Sequence, residues 1–142
     1  MSFFENAPQC SFCCFCINLR NGAFMMGLFE LFVFFVYWKL DFKENFNATN
    51  WNVLFLIDRL FEVILGTALI MAVIKKNSRI ILFYLFSEII CIIFNVAYIT
   101  QSFARATTPE NNTSNSFFLF VIFFSLYGWC VTNSYYQELV NY

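Results

Sequence analysis

The sequence predicts an all-α fold, an integral membrane up-down four-helix bundle. Three observations lead there. Four apolar stretches, residues 23–40, 53–74, 80–100 and 117–133, fill most of the 142-residue chain. A helix that crosses about 30 Å of hydrocarbon needs about 20 mainly apolar residues, and each stretch is close to that length. The composition agrees: 61% of residues are hydrophobic, 22 are Phe and only 12% are charged. Soluble domains carry about 25% charged residues, so this chain lacks the polar surface that would keep it in water. Finally, the segments between the stretches are short, and a short link returns the chain at once, which gives up-down connectivity. The resulting division is a cytoplasmic Cys-rich arm (1–22), a four-helix membrane domain (23–133) and a cytoplasmic tail (134–142).

The arm does not open like a cleavable signal peptide, which begins with a basic region. Its one basic residue, Arg20, comes at its end, so the first span is expected to act as an uncleaved signal anchor. The arm carries Cys10, Cys13, Cys14 and Cys16 just ahead of that span. Three readings stand for this cluster. Juxtamembrane cytoplasmic Cys are sites of S-palmitoylation, and an acyl chain there would pin the arm to the leaflet. Four thiolates can hold zinc, although structural zinc sites separate two Cys pairs by a folded spacer. Unmodified Cys in an apolar approach to the helix is the third. No disulfide framework is expected on the reducing side of the membrane.

The first span contains Gly27 and, midway, Glu30. The second carries Asp58, Arg59 and Glu62, and Gly66-Thr67-Ala68 after them. The third carries Glu88 and Cys91, and the fourth Gly128 and Cys130. Ionisable groups in hydrocarbon are costly and usually face the bundle interior; Glu30, Glu62 and Glu88 are the deeper ones, while Asp58 and Arg59 lie close enough to the outer surface to snorkel. Asp58 and Glu62 are four apart and share a helix face, and Arg59 is three before Glu62, within pairing reach. One reading of Glu30, Glu62 and Glu88 is a carboxylate-lined proton or cation path. The other is structural, with Arg59 neutralising one acid and the rest hydrogen-bonded between helices. Neither a repeat between the halves nor a Pro within a span supports a transporter built on broken helices. The glycines let helices approach closely. The two spans' cysteines read as small packing residues. Tyr37, Trp38, Trp51 and Trp129 fall near span ends, where interfacial aromatic anchors sit.

Sidedness follows from two signals. Lys75, Lys76 and Arg79 link the second and third spans, and Arg20 precedes the first; basic residues favour the cytoplasmic side. The N-x-[ST] acceptors Asn47, Asn111 and Asn112 fall only in the first and third loops, which must be lumenal or extracellular to be glycosylated. Both chain termini are therefore expected in the cytoplasm. In the tail, Tyr136-Gln137-Glu138-Leu139 is a Tyr-x-x-apolar pattern that clathrin adaptors can capture as an extended peptide, with Tyr136 and Leu139 filling two pockets.

Several classes are excluded or disfavoured. There is no His, the commonest general base and imidazole ligand. The eight basic residues form no stripe and the net charge is −1, so no nucleic-acid partner is expected. No catalytic constellation, cofactor motif or metal set is apparent. The expected partners are the lipid bilayer, other membrane proteins and clathrin adaptors.

The residues Cys13-Cys14-Phe15-Cys16, Leu19-Arg20-Asn21-Gly22 and Gly27 ahead of and within the first span resemble the start of lysosome-associated transmembrane proteins. They are equally similar to related four-span arthropod proteins, including the pasiflora-type septate-junction proteins. The resemblance covers about 20 residues, with the four-span layout matching beyond them. It implies a non-enzymatic protein of endolysosomal or junctional membranes, with Cys13, Cys14, Cys16, Arg20, Gly22 and Gly27 as matching positions. Lysosomal members carry Pro-Pro-x-Tyr tail motifs that recruit ubiquitin ligases; here the only prolines are Pro8 and Pro109, and no such recruitment is implied. The expected function is a membrane adaptor or organiser in endolysosomal or plasma membranes. The alternatives are a cell-junction component and a small proton-linked transporter or channel subunit.

Overall fold

A computed structural model of the chain describes residues 18–41, 50–105 and 110–141. Among the described residues all regular structure is α-helical. Helix α1 spans Leu19–Asp41, α2 Asn50–Lys75, α3 Ser78–Arg105 and α4 Glu110–Asn141. Each packs on its chain neighbours, and α4 closes back onto α1, so the four make a square up-down bundle. The diagonal pairs approach only through long side chains.

Three of the helices are long and apolar enough to cross a membrane: α1, α3 and α4. Helix α2 differs because any bilayer-length stretch of it contains Asp58, Arg59 and Glu62. All-helical architecture and membrane character thus agree with the sequence reading, while the fourth crossing depends on how those three charges are housed.

The bundle is inside-out in polarity. Phe32, Phe35, Phe83, Ile90, Ile93 and Phe123 are more than half exposed, whereas Glu30, Arg59, Glu62 and Glu88 are buried. In water such an outer surface would be a very large apolar patch; against lipid tails it is the expected one. The interior is layered. Near the start of α1, Ala23, Met26, Leu65, Leu69, Ile81, Leu85 and Tyr135 pack together. Near the start of α2 lies an aromatic layer of Tyr37, Phe55 and Phe118 with Val33 and Ile99. Here Phe55 stacks on Tyr98 at 4.5 Å between centroids, and Tyr37 lies 4.8 Å from Phe118. The charged residues sit between these two layers.

The glycines mark where helices touch backbone to backbone. A Cβ added to Gly27 would come 2.8 Å from the Gly66 carbonyl oxygen, and one added to Gly66 would come 3.0 Å from that of Gly27. Only hydrogen at both positions lets α1 and α2 meet this closely. Gly128 of α4 plays the same part against the Met26 side chain of α1.

The α2–α3 turn is tight and well capped. Lys76 takes the left-handed conformation, φ 52°, just after α2. Asn77 N–H then donates to the Ala72 carbonyl at 2.9 Å, the long bond that closes a helix C-terminus. The Asn77 side-chain oxygen in turn accepts from Arg79 N–H at 3.1 Å, capping the start of α3.

Several sequence expectations need correction. Residues 19–22 belong to α1 rather than to an arm outside it. The third loop is shorter than 101–116, because α3 runs to Arg105 and α4 starts at Glu110. Residues 134–141 are not a separate tail: α4 continues through them, and Ser134, Tyr135 and Gln137 are buried against the bundle. Tyr37 and Trp129 are not peripheral anchors. Tyr37 is buried beneath Arg59, and the Trp129 indole N–H donates to the Leu85 carbonyl at 3.0 Å, tying α4 to α3. Trp38 alone of these described side chains is well exposed, as an interfacial residue should be.

Candidate functional site

The candidate site is a buried polar network that draws on α1, α2 and α3. Its centre is Arg59, 2% exposed. One guanidinium nitrogen donates to Glu62 Oε2 at 2.5 Å. The other donates to Asp58 Oδ2 at 3.0 Å and to the Asn95 side-chain oxygen on α3. Asn95 completes the circuit: its amide nitrogen donates to Glu62 Oε1 at 3.1 Å and to the Cys91 carbonyl at 2.9 Å. Both carboxylate oxygens of Glu62 are thereby engaged. The guanidinium plane also sits over aromatic rings, with Cζ 4.9 Å from the centroids of Tyr37 and of Phe55. Arg suits this position because its rigid fork serves several acceptors at once and its flat face stacks on rings. A buried ion pair holds only when its remaining hydrogen-bonding capacity is met, and this one nearly meets it; Arg59 Nε alone lacks a partner.

One turn deeper lies a second group. Tyr84 of α3 donates its hydroxyl proton to Glu30 Oε1 on α1. Glu30 Oε2 lies against Gly66, where a Cβ would come within 3.0 Å of it. Glu88, four residues after Tyr84 and on the same face of α3, is buried too, close enough for its charge to act on Glu30. Glu30 Oε2 and Glu88 Oε2 are both buried without a hydrogen-bond partner. The interior so holds four carboxyl groups, Glu30, Asp58, Glu62 and Glu88, and one guanidinium.

Asp58, Glu62 and Cys91 each bring one ligand atom to within 4.8 Å of the others, a separation a metal ion could bridge. The donor set already has its cation, however. Arg59 takes both carboxylates, and Asn95 takes the second Glu62 oxygen. The arrangement fits an internal ion network better than a metal centre.

All five ionisable residues singled out in the spans are therefore brought together. Asn95 and Tyr84 were not singled out, although both are essential to the geometry. The signal for Asn95 was available: an Asn in an otherwise apolar run usually hydrogen-bonds across a helix interface. Tyr84 was legible only as the i−4 neighbour of Glu88. The other sequence-predicted sites lie apart from the network. Cys10, Cys13, Cys14, Cys16 and Asn47 fall outside the described residues. Asn111 and Asn112 fall in the first turn of α4. Tyr136 and Leu139 are in the last turns of α4, packed against the apolar layer near the start of α1. In this conformation the tetrapeptide is helical, and an adaptor that reads it extended must unwind the end of α4.

No protein family model, curated protein or solved structure matches this chain.

Proposed function

We propose that the chain is a non-enzymatic multi-pass membrane protein that crosses the bilayer four times, with the Arg20 and Lys76 ends of the bundle in the cytoplasm. It acts as an organiser or adaptor through lateral association with other membrane proteins, in endolysosomal or plasma membranes. One observation carries this reading. The charges of α2 are spent inside the bundle, with Arg59 engaged by Asp58, Glu62 and Asn95 at once. A fourth crossing needs those charges to be housed internally, because an unpaired charge in hydrocarbon is costly; the guanidinium balances one of the two carboxylates, and both are held by hydrogen bonds within the network. With its polar groups turned inward, the bundle offers lipid and neighbouring proteins an apolar surface rich in Phe and Ile, the surface through which helices associate laterally. The endolysosomal or junctional setting rests on the resemblance of the Cys-rich segment and first span.

The test is steady-state localisation of an N-terminally tagged copy in polarised epithelial cells, beside lysosomal and junctional markers. Overlap with lysosomes, lost to the cell surface in Tyr136→Ala, supports a sorting adaptor. A line along lateral contacts would replace it with a junctional role. Thermal stability of Tyr136→Ala must be measured alongside, because Tyr136 also packs on the bundle.

A further inference from the structure

Among the described residues, four carboxyl groups share the interior with a single guanidinium, and the hydrogen bonds decide which acids that cation serves. Arg59 is committed to Asp58 and Glu62. Glu30 and Glu88 have no cation among the described residues in hydrogen-bonding contact with them. Glu30 is 5% exposed and Glu88 3%, and each has one carboxyl oxygen with no protein partner. A carboxylate buried without a counter-charge is far too costly in hydrocarbon, so an occupant must supply the missing positive charge.

The surroundings select the occupant. Metal cations such as calcium take six to eight oxygen ligands, in a roomy polar cage. Here Glu30 Oε1 is already occupied by the Tyr84 hydroxyl. Oε2 is wedged against the Gly66 backbone, which has no side chain to crowd it. Each carboxyl thus keeps an oxygen that can hold a proton, and two carboxyls with one hydroxyl fall short of a six-ligand coordination sphere.

We propose that Glu30 of α1 and Glu88 of α3, with the Tyr84 hydroxyl between helices, form a proton-binding site in the bundle interior, separate from the Arg59 ion network. The proton adds to and leaves from a carboxyl oxygen, and no other bond changes. The facing groups are few. From α2, Arg59 and Glu62 act on Glu30, and Asp58 also acts on Glu88. From α3 come Tyr84 and Glu88 themselves, with Cys91 one turn beyond. Helix α4 packs Phe124 on Phe29 of α1 and has no charged residue between Ser116 and Gln137. Loading the site therefore neutralises charge at the α1–α3 diagonal, where the Tyr84–Glu30 hydrogen bond joins opposite helices of the square.

The inference rests on the bundle lying in the bilayer. Resistance of the reconstituted protein to alkaline carbonate extraction checks that premise by itself, before any spectrum is taken. The experiment is pH-jump infrared difference spectroscopy of the full chain in phosphatidylcholine vesicles, followed through the carbonyl band of protonated carboxyl groups. The proposal expects a protonated-carboxyl band that disappears as pH rises, is lost in Glu30→Gln/Glu88→Gln, and is displaced but retained in Glu30→Asp and Glu88→Asp. The Asp variants keep a carboxyl group and guard against a misfolded double variant. A band that persists unchanged in all the variants, or no such band in wild type, overturns the proposal. Loss of the band on adding sodium or calcium at fixed pH also overturns it and assigns the pair to a metal cation.

Discussion

Asn95 of α3 and Arg59 of α2 are the hinge of the interior: the Asn95 side-chain oxygen accepts from the guanidinium, and its amide nitrogen donates to the same Glu62 that Arg59 pairs with. One neutral side chain therefore fixes the geometry of an ion pair on the neighbouring helix. Asn95→Leu keeps the branched shape, is somewhat larger, and removes all three of its side-chain hydrogen bonds. It should cost about 1–3 kcal/mol, the usual penalty for leaving buried polar partners unmet. Unfolding of the detergent-solubilised protein against increasing mole fraction of a denaturing detergent reads this directly.

Arg59 should be the most sensitive position. Arg59→Met would leave Asp58 and Glu62 inside the bundle with no cation, a change that costs about 3–5 kcal/mol where buried pairs are broken. Arg59→Lys keeps the charge but cannot reach three acceptors while lying flat on Tyr37 and Phe55, so it should recover only part of that loss. The same unfolding assay ranks wild type above Lys and Lys above Met.

Gly66 couples packing to the polar site. In Gly66→Ala the new methyl group meets the Gly27 carbonyl oxygen and the Glu30 side chain, both at about 3 Å. Overpacking of this kind costs about 1–3 kcal/mol. Thr67→Ala next to it is the control: Thr67 is exposed, its hydroxyl returns to the Val63 carbonyl, and its loss should stay within about 0.5 kcal/mol.

Lys76 offers a stabilising change. It holds a left-handed φ of 52° that costs a side-chain-bearing residue about 1–2 kcal/mol relative to the ordinary helical region. Lys76→Gly should therefore raise the midpoint of unfolding, by up to about 1 kcal/mol after the added freedom of the unfolded chain is counted. The measurement is differential scanning fluorimetry beside wild type.

Helix number, order and connectivity were legible in the sequence because length and apolarity alone decide them. So was the inward placement of Glu30, Glu62 and Glu88, because hydrocarbon tolerates them nowhere else; Arg59, which by position could snorkel to the surface, is instead held inside by its three acceptors. Helix ends were less legible. The run of Thr132, Asn133, Ser134 and Gln137 looks like the end of a span by composition, yet these residues are buried and α4 continues beyond them. Composition reports affinity for lipid; it is silent on whether a polar stretch is covered by neighbouring helices. For the same reason Tyr37 and Trp129 read as interface anchors. Their inward orientation depends on α2 and α4 lying next to Tyr37 and on α3 lying next to Trp129, which no local pattern encodes. The partners in the network, Asn95 and Tyr84, also depend on the register of α3 against α2 and α1, which no local pattern shows.

Helix α2 carries three charges within its span and must nevertheless cross the bilayer in a four-crossing bundle. A single cysteine is placed at Asn50, the first residue of α2, or at Lys76, just past its last, in a background where the native cysteines are replaced. Each is then tested in sealed, oriented membranes with a maleimide that cannot cross lipid. A four-crossing bundle predicts that position 76 reacts only from the cytoplasmic face and position 50 only from the opposite one. Reaction of both positions from the same face would contradict it, because α2 would then not traverse the bilayer.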